Sequence, residues 1–132
     1  MLLCLCTGKG EKMSRYSTKL LGFGDNVVDI YDHLKTMYPG GNCVNVSVYG
    51  KMAGCEKTAY MGYFGDDDWA ELIMDALEKI GVETVKCEQL HGENGYSRIT
   101  LKDGETVSSW TLMKAAFVVK HHISSMILMW NI

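Results

Sequence analysis

Proline is nearly missing from the 132 residues: Pro39 is the only one. Collagen is excluded by that count, and a 47% hydrophobic content excludes a disordered chain and fits one soluble globular domain. An excess of positive charge is missing too. Thirteen Lys and Arg stand against sixteen Asp and Glu, a net charge of −3, so nothing supplies the field that a phosphate backbone requires and no nucleic-acid partner is expected. Paired cysteines are also lacking. Cys4, Cys6, Cys43, Cys55 and Cys87 are odd in number and form no C-x-x-C motif, which excludes a disulfide framework and a zinc knuckle and fits a reducing cytoplasm. The apolar start Met1 to Cys6 has no basic residue before it and is shorter than a secretory core. No run reaches membrane-spanning length, so neither a signal peptide nor a membrane partner is expected.

Glycine is plentiful, with fourteen residues, which suits many tight turns between short elements and favours an α/β unit over a helical bundle. Three zones differ in composition. Residues 1–18 have no periodicity and read as an amino-terminal extension. Residues 19–109 hold every acidic residue except Glu11 and every glycine except Gly8 and Gly10, so the folded part is expected there. From Ser108 to Ile132 there is no Asp, Glu, Gly or Pro, while Trp110, Met113, Phe117, Met126, Met129 and Trp130 accumulate.

Lys19 to Gly24 reads as a buried strand ending at glycines, and Thr58 to Phe64 as a second, closed by Gly65. Asp66-Asp67-Asp68 then offers a helix cap. Trp69, Leu72, Ile73, Ala76, Leu77 and Ile80 recur at helical spacing opposite Glu71, Asp75 and Glu78, and Gly81 stops the run. A third strand over Thr84 to Gln89 makes a parallel crossover. Lys102-Asp103-Gly104 between Tyr96 to Leu101 and Glu105 to Ser109 predicts a hairpin. Asn42 to Ala53 supports two readings: Val44, Val46 and Val48 alternate as in a strand, whereas Gly54 as stop and Asn42 as cap suit a helix from about Val44.

Three segments carry chemistry: Gly22 to Asp29 after a strand, Pro39-Gly40-Gly41-Asn42-Cys43-Val44-Asn45, and Tyr63 to Asp67 before a helix. Paired glycines let backbone approach a ligand, and the two amides of Asn42 and Asn45 can grip hydroxyls. In order and spacing the three resemble the amino-terminal half of ribokinase-like (PfkB-type) carbohydrate kinases, over roughly Lys19 to Ser109. Gly-Asp-Asn-Val-Val-Asp, Tyr38 to Asn42 and His91 to Gly95 look most like the fructoselysine 6-kinase branch. The resemblance implies a partial three-layer α/β sandwich, with a mainly parallel sheet and a small β lid. It also implies ATP-dependent phosphorylation of a sugar or sugar-amine adduct.

By the same resemblance Asp29 takes the sugar hydroxyls, and Gly40, Gly41 and Asn45 form the sugar-contacting turn. Asn42 points toward that pocket, and Arg98 could face an anionic substrate. Asp25 has a structural reading as a turn cap. Ile30, Tyr31, Tyr96, Ile99 and Leu101 would supply the lid, through which family members also pair as homodimers. Cys43 departs from the pattern, which has Gly, Ala or Pro there. Ten residues between Gly54 and Gly65 are one more than the pattern has, an excess assigned to the turn around Cys55-Glu56-Lys57.

Family members need ATP and magnesium, and the resemblance places these on a later Gly-Ala-Gly-Asp turn with no counterpart here. No cofactor is therefore expected for this chain alone. It is read as a catalytically incomplete fragment, with residues 110–132 read out of register. Two alternatives remain open: a sugar-binding or dimerising module without catalysis, and a Rossmann-type nucleotide binder, for which Gly22-x-Gly24 is a partial fingerprint with Val27 in place of the third glycine. His121-His122 without nearby ligands read as surface residues.

Overall fold

The computed structural model describes residues 3–4, 18–84, 86–102 and 105–111, with side chains over 18–84 and 86–101. The readings placed on most of residues 1–18, on the Asp103-Gly104 turn and on residues 112–132, His121 and His122 included, lie outside the described residues.

The elements in chain order are β1 (Leu3–Cys4), β2 (Lys19–Phe23), β3 (Val27–Tyr31), β4 (Thr36–Gly40), α1 (Asn42–Met52), β5 (Lys57–Met61), β6 (Tyr63–Phe64), α2 (Asp68–Ile80), β7 (Glu88–Gln89), β8 (Tyr96–Lys102) and β9 (Glu105–Thr111). Apolar β2 and β5 pair in parallel, from Lys19 opposite Lys57 to Phe23 opposite Met61, and β1 adds antiparallel to β2. The register runs unbroken over these pairs, with no bulge in β5.

The expected strand from Thr58 to Phe64 is split at Gly62. Its parallel partner is split as well, into a bridge at Glu83 and the short β7 beside β6. Gly62 packs against the Tyr60 hydroxyl and the Gly24 carbonyl where a side chain would not fit. The ladder resumes beyond it, with the Leu90 N–H donating to the Phe64 carbonyl at 2.8 Å.

A second sheet has the order β4, β3, β8, β9, with β3 and β8 parallel and both outer pairs antiparallel. It is the expected lid, with one strand more than was read, since β4 lies over Thr36–Gly40. Pro39 is compatible with a strand here because β4 is an edge, where a missing N–H leaves no partner unsatisfied.

α2 begins at Asp67, whose carboxylate accepts the Ala70 N–H at 3.0 Å, and ends at Gly81 in the left-handed conformation, φ 81°. It buries Ala70, Ile73 and Leu77 against a core that includes Val28, Val44, Tyr60, Phe64 and Val82. Those side chains come from both sheets and both helices, so one apolar cluster fixes the lid's base to the main sheet.

α1 resolves the open segment as helix. It rests on β2 and β5 through Cys43, Val44 and a fully buried Ser47. The Ser47 hydroxyl donates to the Ala59 carbonyl at 2.8 Å and accepts the Gly22 N–H at 3.1 Å, joining helix to sheet by a polar stitch.

Candidate functional site

The α1 N-terminus is capped from a distance. Its N-cap residue is Gly41, which has no side chain to offer, and Asn42 is the first helical residue and exposed. The missing acceptor comes from Asp25, 17 residues earlier at the end of β2. One carboxylate oxygen accepts the Asn42 N–H at 3.2 Å and the other accepts the Cys43 thiol at 3.2 Å. Asp25 therefore has the structural role, and its negative charge sits where the helix dipole is positive. Burial first, then the hydrogen bond and charge of Asp25, push the Cys43 thiol up to about 12.

Gly41 requires glycine twice over. Its φ of 101° is rarely open to other residues, and a Cβ would come 2.9 Å from the Asn26 Cα and the Asp25 carbonyl oxygen. The segments Asp25-Asn26 and Gly40-Gly41 thus pass each other backbone on backbone. Beneath them Asn26 is buried. Its amide donates to the Tyr60 hydroxyl at 2.9 Å and to the Tyr63 carbonyl at 2.7 Å, and the Tyr60 hydroxyl donates to the Gly24 carbonyl at 2.7 Å.

Asp29 stands in the middle of β3, and its carboxylate occupies the space that a Gly40 side chain would fill. Partial burial there raises its carboxyl above the ordinary carboxylate value of 3.8. On the helix side of the same glycines, the Asn45 N–H closes the first turn of α1 on the Gly41 carbonyl at 2.9 Å. Asp29, Asn42 and Asn45 therefore flank the Gly40-Gly41 pair on its strand and helix sides. A partly desolvated carboxylate against a side-chain-free turn can accept hydrogen bonds from the hydroxyls of a polyol.

Arg98 is not brought to this group. It pairs across the sheet with Ile30, whereas Asp29 pairs with Ser97, so alternation sends Arg98 to the opposite face. There its guanidinium lies 3.5 Å from Asp32. The lid residues divide in the same way. Ile30 and Tyr96 face the core, with Tyr96 edge-on to Trp69 at 5.2 Å, while Tyr31, Ile99 and Leu101 share the face of Asp29. A groove of about 570 Å³ between β4 and α2, lined among others by Met37, Pro39, Leu72 and Lys79, holds none of the expected site residues.

A second polar cluster joins two segments that the sequence marked separately, the Asp66-Asp67-Asp68 cap at the start of α2 and the His91 to Gly95 loop before β8. Asp66 accepts the Gly92 N–H at 2.9 Å and lies 2.6 Å from the His91 ring. Asp67 accepts the Asn94 N–H at 2.9 Å, and buried Asn94 accepts the Gly65 N–H at 3.0 Å.

The dinucleotide reading lacks its structural context, because Gly24 leads into β3 and not into a helix, so no helix N-terminus follows the glycines to receive a pyrophosphate. Among the described residues no group of three or more His, Cys, Asp or Glu could hold a metal ion, and no helix is long and apolar enough to cross a membrane.

Comparison with known proteins gives the family and the fold. Residues 10–125 match the model of the pfkB family of carbohydrate kinases. The chain belongs to that family. The match begins before Lys19 and ends after Ser109. Fructosamine kinase FrlD of Bacillus subtilis strain 168 is 42% identical over 85 residues, 64% of this chain and 30% of that protein. Fructoselysine 6-kinase of Escherichia coli K12 is 35% identical over 92 residues, 67% of this chain and 33% of that protein. The chain spans about a third of the length of these curated relatives.

Among solved structures, fructokinase from Xylella fastidiosa with bound ATP superposes with a TM-score of 0.62 at 22% identity, covering 70% of this chain and 32% of that one. The fold is mixed α/β and ribokinase-like, as expected from the sequence.

Proposed function

We propose that this chain is the sugar-gripping part of a kinase that phosphorylates a fructosamine-type substrate such as fructoselysine. Asp29, Gly40, Gly41, Asn42 and Asn45 take the sugar, and Arg98 has no part in the pocket. The observation that carries the reading is the Asp29 carboxylate, partly desolvated and fitted against Gly40 beside the first turn of α1. A carboxylate so placed can fix the sugar's orientation by accepting hydrogen bonds from two hydroxyls, and the missing Cβ atoms at Gly40 and Gly41 are what let the Asp29 carboxylate and the Asp25-Asn26 backbone lie against the turn. Identity with fructosamine and fructoselysine kinases supports the substrate class.

ATP and magnesium would supply the phosphoryl group and neutralise its charge in the full-length family. Of the described residues, Asp25 is engaged as the cap of the α1 N-terminus. No transfer step is assigned to this chain, whose own part is to bind and orient. Among the described residues β4 and β9 are the outer strands of the lid, and a second copy would pair there.

Calorimetry with fructoselysine, ribose, ATP and NAD tests the reading. Fructoselysine binding without binding of either nucleotide is expected. NAD binding without sugar binding would replace the proposal by the dinucleotide alternative, and phosphorylation by this chain alone would refute the division of labour.

A further inference from the structure

Among the described residues, the part of the second sheet's face that runs from Asp29 away from buried Val27 and Gly40 is only partly covered. Alternation along β3 places Asp29 and Tyr31 on that face; their cross-strand partners there are Tyr38 and Thr36 on β4, and Ser97 and Ile99 on β8. Tyr38 stands directly opposite Asp29 and is 54% exposed. Tyr31 meets it edge to face, with ring centroids 5.9 Å apart, and meets His33 in the same manner at 6.1 Å. The other face of the strands packs on the core through Val28 and Ile30, and Arg98 is held there by Asp32. The Asp29 face thus presents an aromatic pair, Tyr38 exposed and Tyr31 half-buried, beside the carboxylate and leading away from Gly40. Among the described side chains of β3, β4 and β8 on it, Asp29 alone has a carboxylate.

Aromatic faces attract a cation and cover hydrocarbon, and a desolvated carboxylate beside them adds the opposite charge. A plain sugar satisfied by Asp29 and the glycine turn would leave the two rings uncovered. A sugar bearing a secondary ammonium and an alkyl arm would use all of it, with its hydroxyls on Asp29, its ammonium between Asp29 and the rings, and its chain across Tyr38. We infer that Tyr38, supported edge-on by Tyr31, is the specificity-determining surface that selects an N-alkylated amino sugar over the unsubstituted sugar. The inference rests on the sugar-binding reading of Asp29 and deepens it.

Three probes separate the contributions: fructose, its neutral 1-O-propyl ether, and 1-deoxy-1-propylamino-fructose, each titrated into the full chain by ligand-observed NMR. The propylamino sugar is expected to bind about tenfold tighter than fructose, with the ether between them. Tyr38→Ala should bring that ratio close to one. Tyr38→Leu, which keeps an apolar strand residue, should retain the gain from the propyl group and lose the gain from the ammonium, so misfolding is distinguishable from loss of the ring. Equal affinity for all three probes, or an unchanged ratio in both variants, overturns the inference while leaving the sugar site standing. Failure of every probe to bind overturns both.

Discussion

Asp25 is the acceptor on which the start of α1 depends, and replacing it has two consequences that must agree. In Asp25→Ala the exposed Asn42 N–H loses its partner, with no side-chain cap on Gly41 to substitute. Loss of a cap costs about 0.5–2 kcal/mol, and loss of a negative charge at a helix N-terminus about 0.3–1 kcal/mol. Since the Asp25 contact is at 3.2 Å and faces solvent, about 1–2 kcal/mol is expected in total. Asp25→Asn keeps an acceptor and loses only the charge, so about 0.5 kcal/mol is expected. Urea denaturation measures both values from the midpoint at constant slope.

The second readout is Cys43, buried under the same carboxylate with its thiol pushed up to about 12. Alkylation at pH 8, followed peptide by peptide in a mass spectrometer, then proceeds only through opening of this end of α1. A destabilisation of about 1–2 kcal/mol accelerates it roughly 5- to 30-fold in Asp25→Ala. An unchanged midpoint, or a Cys43 labelling rate equal to that of the unsubstituted chain, would refute the assignment of Asp25 as the cap.

Gly40→Ala places a methyl group where the Asp29 carboxylate lies. The carboxylate is the movable end of a side chain, so a small change in unfolding midpoint is expected together with a roughly 10- to 100-fold loss of sugar affinity by calorimetry. Gly81→Ala meets nothing closer than the Lys51 side chain at 3.6 Å, so its cost is the left-handed backbone alone, about 1–2 kcal/mol by denaturation. Hydrogen bonding and the charge of Asp66 raise His91 above 6.5, so its stabilising contribution is complete below that value and is lost as pH rises through the raised one. Asp66 is held below 3.8, first by the Gly92 N–H and then by His91, so its contribution is present above 3.8 and is lost as pH falls through the depressed value. Hydrogen exchange at Gly92 and Asn94 should therefore gain an extra acceleration across the alkaline side of the His91 titration, and His91→Ala should abolish it.

The parts of the fold that were legible have their signals close together in the chain. α2 has its cap at Asp67, its apolar stripe and its stop at Gly81 within fifteen residues, and strands β8 and β9 flank an Asp-Gly pair. α1 was ambiguous because its inward stripe includes Ser47, a polar residue satisfied by the sheet, while its valines are spread around the helix. Periodicity reads hydrophobicity and registers nothing when a hydroxyl and small side chains make the contact. β4 escaped notice because Pro39 and Gly40 argue locally against a strand, and only its edge position reconciles them. Asp29 is singled out by the family resemblance of the Gly-Asp-Asn-Val-Val-Asp segment and not by any local pattern. The face of Arg98 could not be read, since it depends on the register of β8 against β3, strands separated by 64 residues of intervening chain.

The junction between the two sheets limits how a lid of this kind can move. Val28 is fully buried, and its N–H donates to the Gly95 carbonyl at 3.0 Å. Asn26 is hydrogen-bonded to the Tyr60 hydroxyl and the Tyr63 carbonyl, and Asn94 is fixed to Gly65 and Asp67. The chain passes into the second sheet at Asn26 before β3 and at Asn94 before β8. Each of these points is anchored in buried hydrogen bonds and the apolar core, and a hinge there would expose several of these groups at once. Beyond Tyr31 the β3–β4 connection runs through exposed Asp32 to Lys35, held by local turn bonds and the partly exposed Arg98–Asp32 pair. The base of the sheet, with Asp29, is therefore its stiff part, and bending is easier in the outer half that carries Tyr31, Ile99 and Leu101, where fewer buried hydrogen bonds would have to break.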